Sequence, residues 1–279
     1  MACSNMKIHG LCIVKNEADI IDYFLRKGSE WCDNIYVLDT GSSDDTWERV
    51  LRAAETNKSV IPFKKEDLAF SDSLRSLLFN HFKGNAKKGD WWCRMDSDEF
   101  YVTDPRKFLS NVSWRFHVVW AAHLQYYFTE KDLEFYESKE DFETISTDMS
   151  HLPEYYVANA SEPRFFRHRD KLDWPGGAWP RHLGVVAPER ILVRHYQYRS
   201  PSQIQMRLDT RRKAAESGWQ HFQHSLEKDW REKVIQSNTC HRDIGDGNFI
   251  VEEKDLPRHL ESPSARLLKQ VLHMTKIFP

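Results

Sequence analysis

With 279 residues, 40% of them hydrophobic and 29% charged, the chain has the composition of an ordinary soluble globular protein, long enough to bury a core without disulfides or structural metal. Lys plus Arg number 40 and Asp plus Glu 42, which excludes a global positive field of the kind that marks nucleic-acid-binding proteins. Cys3, Cys12, Cys32, Cys93 and Cys240 are odd in number and without CxxC spacing, as expected of core thiols in a reducing compartment.

No apolar run approaches the roughly 18 residues of a membrane span, and the opening MACSNMKIHG lacks the charged start and apolar core of a signal peptide, so the expected location is the cytoplasm. Ile8 to Val14 reads as a buried strand that breaks at Lys15-Asn16-Glu17. Ile20, Ile21, Phe24, Leu25, Gly28 and Trp31 recur at helical intervals, predicting a helix from about Glu17 to Trp31. A second strand, Ile35 to Leu38, ends in Asp39-Thr40-Gly41-Ser42-Ser43-Asp44-Asp45-Thr46. The helix that follows carries Trp47, Val50, Leu51 and Ala54 on one side. Ser42 or Ser43 is expected to cap it, with Asp44 and Asp45 in its first turn.

A strand at Val60 to Phe63, a helix from Ser71 to Phe82 and a strand at Trp91 to Met95 continue the alternation into Asp96-Ser97-Asp98-Glu99. Strands alternating with helices predict an α/β fold with a mainly parallel, Rossmann-like sheet, whose ligand crevice lies beyond the carboxyl ends of the strands. That rule puts Asn16, Glu17, Asp39 and the Asp96 to Glu99 cluster on one rim. The second half is less regular. It has an apolar stretch from Phe116 to Phe128, an acidic segment from Glu130 to Glu143 and a Trp/Pro/Gly-rich loop from Trp174 to Pro180. A strand at Ile191 to Val193 leads into Arg194-His195, and Ser200-Pro201 opens a helix to about Ser217. Its cations Arg207, Arg211, Arg212 and Lys213 are expected to form a solvated face opposite Ile204, Leu208 and Ala215.

Two carboxylates spaced as Asp96-x-Asp98 after an apolar strand offer oxygen ligands to a hard cation such as Mg²⁺ or Mn²⁺, whose remaining positions go to water and nucleotide phosphates. In the order KNE, DTGSSDDT, WWCRMDSDEF, the chain resembles family 2 glycosyltransferases over approximately residues 7 to 101. That family has the GT-A fold, with a V-x-N-E-type loop, an aspartate ending the second strand before G-S-x-D-x-T, and a D-x-D-E motif. The resemblance implies a GT-A domain over residues 1–199, with a nucleotide-sugar half at about 1–101, an irregular acceptor half at about 102–199, and a helical extension over 200–279. It implies metal-dependent, inverting transfer of a sugar from a nucleotide-sugar donor, UDP-linked, to a hydroxyl of a glycan, a lipid-linked saccharide or another acceptor. Contact with the inner face of a membrane is consistent with the family's usual acceptors.

Carried over by position, Asn16 and Glu17 lie beside the nucleotide, Asp39 accepts from the uracil or ribose end, Asp96 contacts the ribose or donor sugar, and Asp98 holds the metal against the diphosphate. His195, after a late strand, is the candidate imidazole of the metal shell, the alternative being a buried, hydrogen-bonded histidine. Arg75, in a partial match to an F-x-x-x-R-N stretch, either pairs with a phosphate or is an ordinary surface arginine. Asp39 is alternatively a helix cap, and Glu99 is expected to order the Asp96–Asp98 loop. Asp170 and Asp173 are the candidate catalytic bases, because they lie close to the WPGGAWP loop, a possible acceptor shelf, and related enzymes take the base from this part of the chain. His182 sits where a W-x-x-x-H-E element would continue with glutamate, but Leu183 follows it. Two other readings stand beside this one. A nucleotidyltransferase of related fold would need a Gly-rich phosphate loop that KNEAD lacks, and a nucleotide-sugar-binding module would keep the pocket without turnover.

Overall fold

The computed structural model of the chain describes residues 6–216 and 227–279; Cys3 and Ser217 lie outside the described residues. The first half alternates as expected: β1 (Ile8–Val14), α1 (Ile21–Gly28), β2 (Asn34–Asp39), α2 (Thr46–Thr56), β3 (Val60–Lys65), α3 (Leu74–Phe82) and β4 (Trp91–Met95). Then follow β5 (Glu99–Tyr101), α4 (Pro105–Ser110), β6 (Val118–Tyr127), α5 (Glu130–Glu137), β7 (Tyr155–Arg167), β8 (Ile191–His195), α6 (Pro201–Glu216), β9 (His241–Arg242) and α7 (Pro263–Met274). The fold is mixed α/β, and no described helix is long and apolar enough to cross a membrane.

The chain forms two compact units. The first comprises residues 6–122, 160–193 and 256–279, the second residues 123–159 and the described part of 194–255. In the first, β1 pairs in parallel with β2 and β4, and β2 with β3. The sheet order is β3-β2-β1-β4-β7-β6-β8-β5, with β7 antiparallel to β4. β1 is buried at every position, as a central strand covered on both faces must be. Its side chains alternate: Ile8, Cys12 and Val14 join one core cluster with Phe24, Leu25 and Val50 from α1 and α2. Leu11 and Ile13 join a second cluster with Leu74, Leu78 and Phe79 of α3. β2 and β4 divide the same way, because successive strand residues point to opposite faces.

The helix boundaries differ from expectation for identifiable reasons. α1 starts at Ile21, not Glu17, because the Glu17 amide donates to Thr46 Oγ1 (2.8 Å) and the Ala18 amide to Asp44 Oδ2 (3.2 Å), tying the would-be first turn to the neighbouring loop. α2 begins at Thr46, so Asp44 and Asp45 precede it, and the expected serine cap is absent. The Ser42 hydroxyl instead accepts from the Asn16 amide (2.9 Å). α3 begins at Leu74, since Ser71 to Ser73 form a turn of their own.

β7 had no counterpart in the sequence pattern. Its thirteen residues, YYVANASEPRFFR, mix Asn, Ser, Glu, Pro and Arg into what alternation would show as a strand. The Phe116 to Phe128 stretch became β6, and the acidic segment became α5, started by a capping box of Thr129 and Asp132. α6 starts at Pro201 with the Ser200 hydroxyl accepting from the Gln203 amide (3.3 Å), as Ser-Pro predicts. In the second unit, Ile204 and Leu208 of α6 pack with Phe128, Tyr136, Tyr198 and Trp230. Arg212 bonds Asp209 on its own helix, and Arg211 reaches the Tyr198 hydroxyl (3.4 Å). The described cysteines are free thiols, and burial pushes Cys12 and Cys32 well up and Cys93 up to about 12.

Gly41 follows β2 at φ 89°, and a Cβ there would sit 2.7 Å from Asp67 Oδ1 and 3.0 Å from its Cα. Gly41→Ala combines left-handed strain with a backbone clash and is expected to lower stability by about 1–3 kcal/mol. Urea unfolding checks this; an unchanged midpoint would show that the Asp67 segment yields freely.

Candidate functional site

In the first unit, the registers put Val14 beside Asp39 and Cys12 beside Met95, so the loops after β1, β2 and β4 leave the sheet from the same edge. The first two loops are laced together. Asn16, at φ 56°, accepts from the Ser43 amide through Oδ1 (2.8 Å), and Lys15 Nζ donates to the Thr40 carbonyl (3.0 Å). The Asn16 side chain therefore holds the second loop against the first, and the Glu17 backbone does the same through Thr46.

Asp39 ends β2 fully buried. Its Oδ1 accepts from the amides of Gly41 (2.8 Å) and Ser42 (2.7 Å), which shapes the loop and leaves α2 uncapped by it. Its Oδ2 is buried with no hydrogen-bond partner. An unsatisfied buried carboxylate oxygen costs on the order of 1–3 kcal/mol or more, so this one calls for a donor from water or from a ligand.

Beyond β4 lies a cluster of opposed charges. Arg75, fully buried on α3, donates through Nη2 to Asp96 Oδ1 and through Nη1 to Asp72 Oδ1 (3.4 Å), which overturns the surface-arginine alternative. Arg164 of β7 donates through Nη1 to Asp96 Oδ2 (2.6 Å) and through Nη2 to Glu99 Oε1, and it pairs with Glu162 at 2.8 Å. Arg94 of β4 completes the group through Asp72 (2.8 Å) and Glu162 (3.7 Å). Burial opposes ionisation of Asp96, yet the guanidiniums of Arg75, Arg164 and Arg94 outweigh it and hold its pKa well below the ordinary value. Glu99 goes the other way. Burial lifts its pKa well above the usual range against the pull of Arg164, with Asp96 and Asp98 adding to the rise. Asp98 is buried in the loop between β4 and β5.

The Trp-rich loop docks beside this cluster. Arg94 stacks over the Trp179 ring at 5.1 Å, the Trp174 indole donates to the Gly177 carbonyl (3.0 Å), and Asn80 of α3 donates to the Trp174 carbonyl (2.7 Å). Asp170 and Asp173 are exposed on this segment, and Asp173 faces Arg181 at 3.9 Å. His182 stands at φ 50° with its ring stacked on Phe278 at 4.0 Å, and its carbonyl accepts from Arg169 (2.8 Å). In the second unit, His195 lies beside His123, ring centres 5.8 Å apart. Two imidazoles each about 2.0–2.1 Å from a shared ion place their ring centres roughly 5 to 6 Å apart, so this pair fits a common cation.

Sequence reasoning missed Arg94, Arg164, Glu162, Asp72 and His123. The visible signal for Arg164 was a cation next to Phe165-Phe166, and for His123 a histidine within an apolar run, each a polar group on a segment that must be buried.

No protein-family model matches this sequence, and no curated protein matches it. Among solved structures, the mannosyltransferase PcManGT from Pyrobaculum calidifontis, in complex with GDP-Man and Mn²⁺, aligns at 15% identity with a TM-score of 0.41, over 75% of this chain and 64% of its own. Glucosyl-3-phosphoglycerate synthase from Mycobacterium tuberculosis, in complex with phosphoglyceric acid, aligns at 17% identity with a TM-score of 0.29, over 43% of this chain and 44% of its own. S. aureus TarS 1-349 aligns at 12% identity with a TM-score of 0.32, over 80% of this chain and 67% of its own. This chain thus spans less than two thirds of the length of the first two.

Removing Arg164 leaves the buried Glu99 without its guanidinium and the half-buried Asp96 with Arg75 alone, so Arg164→Met is expected to cost about 1–3 kcal/mol in urea unfolding at neutral pH. A loss under 1 kcal/mol would show that water or another arginine compensates. Because the folded pKa of Asp96 is depressed, its contribution is present above its ordinary value of 3.8 and is lost as pH falls through the folded value. The stability gap between the native protein and Asp96→Asn should therefore narrow as the pH is taken below 3.8 in an acid unfolding series. A gap constant with pH would refute the ion-pair assignment.

Proposed function

We propose that the chain is a glycosyltransferase that moves a sugar from a nucleotide-sugar donor, UDP-linked, to an acceptor hydroxyl with inversion, assisted by Mn²⁺ or Mg²⁺. The observation that carries this reading is the buried, unpartnered Oδ2 of Asp39 at the carboxyl edge of β2. A base imide or a ribose hydroxyl is the kind of donor such an oxygen needs. Asp39 stands on the sheet edge where an α/β fold binds its ligand, beside the laced loops of Asn16 and Glu17.

The arginine cluster suits the leaving group. A departing nucleoside diphosphate accumulates negative charge, and Arg75, Arg94 and Arg164 are already held in place, so they need no reorganisation to receive it. A divalent cation, when bound, stabilises charge on the diphosphate oxygens. Asp98 is its proposed ligand in the first unit; the His195–His123 pair of the second unit is a separate candidate for a cation. Asp96 has both oxygens on guanidiniums, so its proposed role is to orient Arg75 and Arg164 and to meet the donor sugar. Asp170 or Asp173 would take the acceptor proton, each being an exposed carboxylate on the Trp-rich loop. The proposed acceptor is a hydroxyl of a glycan, a lipid-linked saccharide or another molecule.

A nucleotide-sugar-binding module without turnover is the second reading, favoured by the double guanidinium cover on Asp96. Donor hydrolysis without acceptor separates the two: slow, metal-dependent release of nucleoside diphosphate marks an enzyme, and binding without release marks a module.

Calorimetric titration with a panel of nucleoside diphosphates, in Mn²⁺ and then in chelator, tests the donor half directly. Selective, metal-dependent binding of the uridine nucleotide is expected, and no binding of any nucleotide would sink the proposal. Asp39→Asn keeps an acceptor for Gly41 and Ser42 but replaces the second oxygen with a donor. It should weaken nucleotide binding about tenfold or more, as for a lost hydrogen bond to a charged group. Asp98→Ala should remove the metal-dependent part of binding in a protein that still folds, and His195→Ala, measured in parallel by Mn²⁺ titration, reports whether the imidazole pair binds a cation.

A further inference from the structure

Every guanidinium of the cluster beyond β4 is already shared between carboxylates. Arg75 meets Asp72 and Asp96, Arg94 meets Asp72 and Glu162, and Arg164 meets Asp96, Glu99 and Glu162. Burial drives Glu99 toward its neutral form, so Asp72, Asp96 and Glu162 match the three arginines one for one. A diphosphate brought to these guanidiniums therefore meets N–H donors that are in use and a charge that is already balanced. A divalent cation travelling with it offsets its charge but supplies no N–H donor. For an arginine to grip a phosphate oxygen, a carboxylate has to give way.

Asp72 is the carboxylate that can move. Asp96 has both oxygens on guanidiniums, and Glu99 is almost wholly buried. The Glu162 side chain is 37% exposed but stands inside β7, where the strand fixes its backbone. The Asp72 side chain is 44% exposed and belongs to residues 66–73, which join β3 to α3 outside any helix or strand. One oxygen, Oδ1, accepts from both Arg94 Nη2 (2.8 Å) and Arg75 Nη1 (3.4 Å), the second at the long end of the hydrogen-bond range. Turning this side chain outward breaks both contacts at once and costs little, because an exposed ion pair contributes little and the freed carboxylate regains its water. Arg75 keeps Asp96 and Arg94 keeps Glu162, so the guanidiniums stay in position while the carboxylate leaves.

We propose that Asp72 competes with the diphosphate for Arg75 and Arg94 and is expelled into water when the diphosphate binds, so that its carboxylate restrains donor affinity. This deepens the transferase reading and rests on it for the identity of the diphosphate. The test is calorimetry of the full chain and of Asp72→Asn with inorganic pyrophosphate and with UDP, each in Mn²⁺, together with hydrogen exchange over residues 66–74. Asp72→Asn keeps the size of the side chain and removes its charge. It should bind pyrophosphate about tenfold more tightly than the native chain, as when a competing hydrogen bond to a charged group is removed. Were Asp72 there only to order Arg94, the same substitution would weaken binding. In the native chain, pyrophosphate should speed exchange in this segment, including the Leu74 amide that donates to the Ser71 carbonyl (3.0 Å), whereas a ligand that leaves Asp72 in place would slow it. Equal or weaker pyrophosphate binding by Asp72→Asn, or slower exchange in the native segment, overturns the proposal. Tighter pyrophosphate binding by Asp72→Asn, with UDP held no better than pyrophosphate, supports the displacement and removes the nucleotide reading. UDP bound equally by the two chains does the reverse.

Discussion

The guanidinium of Arg164 between Asp96 and Glu99 is the interaction on which the rest of the first unit's site depends. Charges taken out of water are tolerated only when each has a partner in good geometry. Here the partners come from segments far apart in the chain: Arg75 from α3, Arg94 and Asp96 from β4 and its end, Glu99 from β5, and Glu162 and Arg164 from β7. They meet because β7 lies antiparallel against β4 and α3 packs on the sheet face that carries Leu11, Leu38 and Trp92. The cluster is therefore a constraint on topology as much as a feature of chemistry. It also sets the two carboxyls apart, Asp96 held ionised by its arginines and Glu99 driven toward the neutral form by burial.

Asp39 presents the opposite situation on the same sheet edge. One oxygen is fully used in shaping the loop to Gly41 and Ser42, and the other is buried without a partner. The first oxygen organises the loop, and the second is the one proposed to take a ligand's donor. The lacing of Asn16 and Glu17 to Ser43 and Thr46 makes the neighbouring loops a rigid frame, so a ligand at Asp39 would meet atoms already in position. The docked Trp-rich loop extends that frame through Trp179 on Arg94.

Much of this was legible in the chain itself. The alternation of apolar strands with helically spaced segments reports burial on one or two faces, a local property, so β1 to β4 and the helices α1 to α3 between them appear in the order the pattern gives. The carboxyl-edge rule then placed Asn16, Asp39 and Asp96 on one edge without knowledge of any contact. Helix starts were less legible. At Glu17 and Ser42, amides and hydroxyls that could have begun or capped a helix are bonded across to the neighbouring loop instead.

By itself, the sequence determined the parallel α/β half of the fold, the order of its elements and the polar residues at their ends, because period and turn chemistry act over a few neighbouring residues. Tertiary structure alone decided that Arg75 is buried, that Asp96 is covered by two arginines, that a strand as mixed in composition as YYVANASEPRFFR sits against β4, and that His123 accompanies His195. Each of these depends on which distant segment supplies the compensating charge, hydrogen bond or ring. Coulomb attraction and hydrogen bonding act through space between residues that can be some 70 positions apart, and no local pattern in the chain records that pairing.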